Sequence, residues 1–289
     1  MIRAIIKEAR PKQWLKNILV FAAPGAAGVL SHSHELVQTL VILVAFCLAS
    51  SGTYYWNDIL DVEADRAHPK KRNRPIASGA LPIGLARVIG TLLIIAGPVL
   101  AFATRWQAGV VCVIYVVLTT TYSTIWKHIA VVDLVAVAAG FVLRAIAGAE
   151  ATNVHMSTWF VLCTTFGSLF IVTGKRYAEL RELGDAPTTA RATLEEYTLE
   201  FLRTVLAISC GATLVAYCIW AFESKELGGS QWPSYELSIV PMLTALLRYL
   251  LIIEQGHGAA PEEIFAADRA LQVLGVIWVI VFASGVYIK

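Results

Sequence analysis

Residues 36–79 read LVQTLVILVAFCLASSGTYYWNDILDVEADRAHPKKRNRPIASG. An apolar run long enough to cross a bilayer ends abruptly in acids and then bases. A charged side chain at the bilayer centre costs roughly 2.5–3.5 kcal/mol or more, so such residues persist where they have work to do. The break at Asn57 therefore marks both the end of a span and a candidate site.

Composition sets the solvent. Of 289 residues, 57% are hydrophobic and 15% charged, with a mean hydropathy of +0.66, against about 25% charged in soluble domains. The chain is expected to be an all-α integral membrane protein, since a helical span takes about 20 apolar residues and the alternation of a β-barrel is missing. Nine apolar runs qualify, near 18–31, 36–56, 81–104, 107–125, 131–149, 157–174, 202–222, 236–253 and 270–288. With the N-terminus cytoplasmic, nine spans put 19 of the 23 Lys and Arg at cytoplasmic ends, leave Arg105, Lys225 and Lys289 outside, and hold Arg144 within a span. That sidedness follows the positive-inside rule and predicts a multi-pass protein of the plasma (inner) membrane with its charged mouth facing the cytoplasm. Residues 1–17 read as a basic amphipathic segment on the inner leaflet. The stretches 57–80, 126–130, 175–200 and 254–269 read as cytoplasmic loops of one domain, 1–289. Five cysteines lie in apolar runs without CxxC spacing, which implies neither zinc nor disulfide. No nucleic-acid motif is present, and nucleic acid is not an expected partner.

On a helix, Tyr54, Asn57, Asp61 and Asp65 share one face at i+3/i+4 spacing, and Asp58 neighbours that face through Asp61. Clustered carboxylates repel unless something positive lies between them. Hard oxygens over one or two turns suit Mg2+, which keeps several waters and bridges to substrate phosphates. Asn57, Asp58, Asp61 and Asp65 are thus the candidate metal ligands. Lys16, Lys70, Lys71, Arg72, Arg74, Lys127, Arg144, Lys175 and Arg176 are expected in the cytoplasmic half of the bundle, more cations than one diphosphate needs. Two phosphorylated substrates would use them. Arg144 follows Lys127 by 17 residues, about 25 Å along a straight helix, so the two could share a phosphate only if the segment bends, with Gly140 the candidate place.

The run NDxxDxxxD (Asn57, Asp58, Asp61, Asp65) followed by HPKKRNRPIASG resembles the first acidic signature of the UbiA superfamily of membrane prenyltransferases. The N-terminal RPKQWLKN and the nine-span layout extend the likeness over the chain. The second motif usual there, DxxxD, is missing. GKRYAELRELGD opens with Lys175 and Arg176, and Glu179, Glu182 and Asp185 have no carboxylate at i+4. YSTIWKHIAVVDLVAVAAGFVLRAIAGA, GSLFIVTGKRYAEL and LEEYTLEFLRTV are similar to one branch, the actinobacterial decaprenyl-phosphate phosphoribosyltransferases.

That resemblance implies a UbiA-type bundle and Mg2+-dependent transfer of 5-phosphoribosyl from phosphoribosyl diphosphate (PRPP) to decaprenyl (polyprenyl) phosphate, with release of diphosphate, for cell-wall arabinan synthesis. It implies that Asn57 and Asp61 hold Mg2+ with Asp58 and Asp65 close by, and that Asp58, Asp61 and Asp65 form the catalytic group. Lys16, Asn17, Tyr54, Lys71, Arg74, Tyr122, Lys127, Lys175 and Arg176 would contact the phosphorylated substrates, and Arg144 the lipid phosphate. PRPP, polyprenyl phosphate and the membrane are the implied partners, and a homo-oligomer is compatible with this reading. A phosphate monoester, with a second pKa of about 6, is already a dianionic nucleophile at pH 7 and needs no general base. Two other readings stay open at this point: prenyl transfer onto an aromatic or quinone precursor, and a cation-coupled transporter. Transporters place ionisable groups near the midplane, whereas these acids sit at a span end.

Overall fold

The computed structural model describes residues 1–183, 192–228, 232–256 and 261–288, and every regular element among them is helical. The chain opens with α1 (Ile2–Glu8), a 3-10 stretch (Pro11–Phe21), α2 (Ala22–Ala26) and a 3-10 turn (Val29–Ser31). Then come α3 (Ser33–Leu60), α4 (Val62–Ala67), α5 (Ile83–Phe102), α6 (Trp106–Thr124), α7 (Val132–Thr152) and α8 (Thr158–Leu183). The last part holds α9 (Leu199–Gly228), α10 (Ser234–Leu237), α11 (Ile239–Glu254), α12 (Pro261–Ala267) and α13 (Arg269–Tyr287).

Among the described residues, eight helices are long and apolar enough to cross a membrane: α3, α5, α6, α7, α8, α9, α10 with α11, and α13. The ninth expected span, 18–31, is not one helix. The 3-10 stretch ends at Phe21, α2 covers five residues, and Gly28 adopts the left-handed conformation (φ +73°). Helices also run past the expected span ends. α8 continues to Leu183, so Lys175, Arg176 and Glu179 lie on a helix rather than in a loop, and only 184–191 of that expected loop fall outside the described residues. Long charged side chains reach the interface from a helix end without breaking it. Likewise α3 extends to Leu60 and α4 follows, and α12 occupies part of 254–269.

Two compact units form: residues 1–127 with 143–155, and 128–142 with 156–289. In the first, Ile42, Phe46, Ala101, Cys112 and Tyr115 make one core, and Tyr55, Ile59, Ile76 and Leu81 a second, against which Ala4, Ile5 and Ala9 pack. α3 and α5 approach at backbone distance. A Cβ on Gly52 would meet the Ile94 backbone N at 2.7 Å, and one on Gly97 the Ala45 carbonyl O at 2.8 Å. Small residues permit such contact where apolar area gives no drive between helices. Gly148 sits closer still, with a Cβ falling 1.8 Å from the Val20 carbonyl O. The second unit packs around Phe170, Tyr177, Leu202, Leu206, Tyr249 and Ile253.

Large apolar side chains also line the exterior, including Val88, Leu92, Ile95 and Val99 on α5 and Val273, Val276, Ile277 and Ile280 on α13. This is the surface of a multi-pass membrane protein.

Gly148→Ala is expected to cost about 1–3 kcal/mol through overpacking, read as a lowered thermal midpoint in detergent. Gly211→Ala, where an added Cβ meets nothing within 4 Å, should leave the midpoint unchanged or raise it slightly.

Candidate active site

The site lies in the first unit, where a membrane helix ends in water. Asp61 (φ −92°, ψ 8°) closes α3 and opens α4. Its N–H donates to the Asn57 carbonyl at 2.9 Å, and the Asp65 N–H donates to its own carbonyl at 2.8 Å. α4 stops at His68, extended (ψ 133°) before Pro69 as the residue preceding proline prefers. His68 Nδ1 accepts from the backbone N–H groups of Lys70 (3.1 Å) and Lys71 (3.3 Å), which turns the chain back. Arg74 thereby returns beside the acids.

The acids do not form one open ligand group. Asp58, 1% exposed, accepts from Arg10 Nη2 at 2.6 and 2.5 Å on its two oxygens, from Arg74 Nη1 at 3.0 Å and from Asn57 Nδ2 at 3.3 Å. The same Arg74 nitrogen donates to Asp65 at 2.6 Å. Asp61 accepts from Lys127 Nζ at 2.6 Å. The Tyr54 ring lies under the Arg10 guanidinium, 4.9 Å from centroid to Cζ. A cavity of about 250 Å³ opens beside these groups, lined by Lys7, Glu8, Arg10, Asp58, Lys70, Asn73, Arg74 and Pro75. Among the described residues, no three His, Cys, Asp or Glu side chains gather as a metal-ligand set.

Arg10 and Glu8 were not legible as site residues. Glu8 is buried, and its carboxyl oxygens accept no hydrogen bond. Burial above all, then the neighbouring Asp58, raises its carboxyl from an ordinary 4.5 to about 8, while Arg10 and Arg74 oppose the shift. A protonated Glu8 is a donor, and the Asp58 carboxylate beside it is the acceptor.

The remaining expected residues divide between places. Asn17 and Arg144 meet inside the first unit: Arg144, 5% exposed, donates through Nε to Asn17 Oδ1 (2.7 Å) and through Nη2 to Tyr115 OH (2.9 Å), with Cζ 4.7 Å from that ring's centroid. Asn17 in turn donates to Cys47 Sγ (3.2 Å) and Ser50 Oγ (3.4 Å). No helical segment joins Lys127 to Arg144 directly, because Lys127 lies in a 3-10 turn, and α7 runs unbroken through Gly140. Lys16, Lys71 and Tyr122 are half-buried, in the first 3-10 stretch, in the turn after α4 and at the end of α6. In the second unit Arg176 donates to Asp133 Oδ2 (3.1 Å) and Glu179 Oε2 (2.7 Å), and Lys175 lies 3.9 Å from Glu179. Asp133, wholly buried, also accepts from Tyr197 OH, whose hydroxyl is held well above its ordinary range by burial and by that carboxylate. The sequence reading missed Asp133 and Tyr197.

Residues 18–281 match the model of the UbiA prenyltransferase family. The chain belongs to that family. It is 41% identical over 288 residues to the decaprenyl-phosphate phosphoribosyltransferase of Corynebacterium glutamicum, covering 98% of this chain and 87% of that one. The decaprenyl-phosphate phosphoribosyltransferase of Mycolicibacterium smegmatis is 39% identical over 99% of this chain and 93% of its own. A solved UbiA homologue of Archaeoglobus fulgidus, bound to DMAPP and Mg2+, has the same fold, with a TM-score of 0.75, 16% identity and 99% of each chain covered.

The Glu8 shift fixes the sign of a pH effect. Its folded pKa is raised, so its contribution to stability is full below about 4.5 and is lost as pH rises through about 8. Glu8→Gln cannot ionise and should lose nothing in that window. Melting curves of both proteins at pH 5, 7 and 9 are expected to show an advantage of the variant that grows with pH.

Proposed function

We propose that this UbiA-family protein transfers the 5-phosphoribosyl group of PRPP to a polyprenyl phosphate, decaprenyl phosphate in the first instance, and releases diphosphate. The observation that carries this reading is the near full-length likeness, about 40% identity, to two phosphoribosyltransferases. The cation-rich site supports it. Donor and acceptor are both polyanions, so the barrier is largely mutual repulsion plus departure of diphosphate from ribose C1. Fixed positive charge acts on both.

Asn57 and Asp61 are the residues that would hold Mg2+. Two oxygen donors suit an ion that draws its other ligands from waters and substrate phosphates; Asp58 and Asp65 are buried against arginines, whereas Asp61, paired with Lys127, keeps 31% of its side chain exposed. Bound there, Mg2+ would neutralise phosphate charge and assist the leaving diphosphate. Lys127, beside Asp61, together with Lys16 and Lys71 binds the donor's phosphates. Tyr54 and Tyr122 contact the phosphorylated substrates, and Arg144, held by Asn17 and Tyr115, binds the lipid phosphate. Lys175 and Arg176 supply positive charge in the second unit. The lipid phosphate attacks C1 as a dianion, so no side chain has to remove a proton.

The N-terminus and the acidic end of α3 face the cytoplasm, where PRPP is soluble. The segment 18–31 supplies the ninth crossing. Its 3-10 turns rise about 2.0 Å per residue, longer per residue than an α-helix.

Purified protein in detergent with labelled PRPP, decaprenyl phosphate and Mg2+ should form a labelled lipid. With 4-hydroxybenzoate and a polyprenyl diphosphate it should form none. Aromatic prenylation with inert PRPP would overturn the reading. In the same assay Asp61→Asn is expected to lose about 10³-fold in kcat, the scale of removing one electrostatic catalyst, while its melting point stays near that of the parent. EDTA should abolish turnover and added Mg2+ restore it, and full activity in EDTA would remove Asn57 and Asp61 from a metal role.

A further inference from the structure

Arg10 combines two features that a surface arginine lacks. Its backbone is left-handed (φ 52°, ψ 59°), a conformation that costs an ordinary residue roughly 1–2 kcal/mol. Its guanidinium contacts both oxygens of a carboxylate that is 1% exposed. Strain of this kind persists where the surroundings over-determine it, and it points toward function rather than away from it.

The surroundings are on the page. Pro11 follows and disfavours a helical residue 10, so α1 ends there. Tyr55 OH donates to the Ile5 carbonyl at 2.8 Å, and Ser51 Oγ donates to the Ala9 carbonyl at 2.9 Å. Trp14 Nε1 donates to Ser51 Oγ at 3.0 Å, and Lys7 Nζ to the Asn73 carbonyl at 3.2 Å. The first and last of these bonds, with Ala4 and Ile5 in the apolar cluster, dock α1, and the other two dock the chain just after it, all without the Arg10 guanidinium. The docking places Arg10; Arg10 does not hold the docking.

What the guanidinium does is electrostatic. The groups alternate as Arg10, Asp58, Arg74, Asp65. Without Arg10, Asp58 would keep one cation, Arg74, which it shares with Asp65, beside the uncharged donor Asn57. A buried carboxylate short of a partner seeks any cation in reach, and Asp58 is adjacent in sequence to Asn57 and three residues from Asp61. We propose that Arg10 is a positioning residue that keeps Asp58 out of the metal's ligand set, so that this acid-rich end offers Asn57 and Asp61 alone. The proposal rests on the reading of 57–65 as the magnesium end.

The test uses Mn2+ as a paramagnetic stand-in, titrated into the full-length protein in detergent with inorganic diphosphate and followed by EPR. Arg10→Met should bind Mn2+ at least fivefold more tightly, or bind an additional ion. Arg10→Lys should stay nearer the parent, and Arg10→Met with Asp58→Asn should return to within twofold of it. In the transfer assay Arg10→Met should lower kcat tenfold or more while KM for PRPP changes less. The double variant should be no slower than Asp58→Asn alone. Unchanged Mn2+ binding in Arg10→Met, or losses in kcat that multiply in the double variant, would overturn the proposal. Failure of Arg10→Met to fold would also overturn it, because docking of α1 would then depend on the guanidinium. A parent protein that binds Mn2+ but transfers no phosphoribosyl group would refute the activity while the metal titration still decides the role of Arg10.

Discussion

A carboxylate at 1% exposure, where an apolar helix meets water, is the constraint around which the first unit is arranged. Removing Asp58 from solvent costs several kcal/mol before any partner is counted. Two arginines answer it from opposite directions in sequence, Arg10 from before the first long helix and Arg74 from the loop after it. Their convergence requires the His68 turn, the buried Pro75–Ile76–Ala77 stretch and the docked α1. Local structure on both flanks of α3 is therefore subordinate to one charge, and the same geometry leaves Asp61 facing Lys127.

The rest of the unit obeys the other solvent. In lipid, apolar area gives no drive to pack helix on helix, so cohesion comes from close contact and from satisfied polar groups. Gly52, Gly97 and Gly148 supply the contact. The buried Arg144, Asn17 and Tyr115 bonds supply the polar part, with Asn17 passing the network on to Cys47 and Ser50. A residue expected to meet lipid phosphate is thus also a tie between α7, α6 and the N-terminal 3-10 stretch. In the second unit Asp133, Arg176 and Tyr197 form a comparable buried cluster, with the half-buried Glu179 at its edge.

Spans were legible because hydropathy over about 20 residues is a property of the chain itself. α3, α5, α6, α7, α9 and α13 fall where the apolar runs lie. The run at 18–31 does not form one helix, because hydropathy reports solvent and not winding. AAPGAAG is apolar, yet it forms only the five-residue α2 before Gly28 turns left-handed. The opposite error occurred at 175–183, where charge was read as a loop. A helix leaving the bilayer carries charge without unwinding, since its backbone bonds are internal and its side chains reach water.

The site was legible in part, for the same reason. Helical periodicity puts Asn57 and Asp61 one turn apart, and the Asp61 N–H bonds to the Asn57 carbonyl. It orders side chains around one axis, and it is silent on what comes back from elsewhere in the chain to meet them. Asp58 points about 100° away from Asn57 on that axis, toward a segment 48 residues earlier in sequence. Nothing in the spacing of the motif could show that Arg10 would arrive there, because its arrival depends on a left-handed residue before Pro11 and on the docking of α1. Asp65 shares Arg74 with Asp58, a contact made by a residue outside the helix that the spacing does not show. A run of carboxylates at a helix end is therefore not a ligand set until the cations folded against it have been counted. Here that count pairs Asp58 and Asp65 with arginines and Asp61 with Lys127, and Asp61 is the most open of the three, with 31% of its side chain exposed.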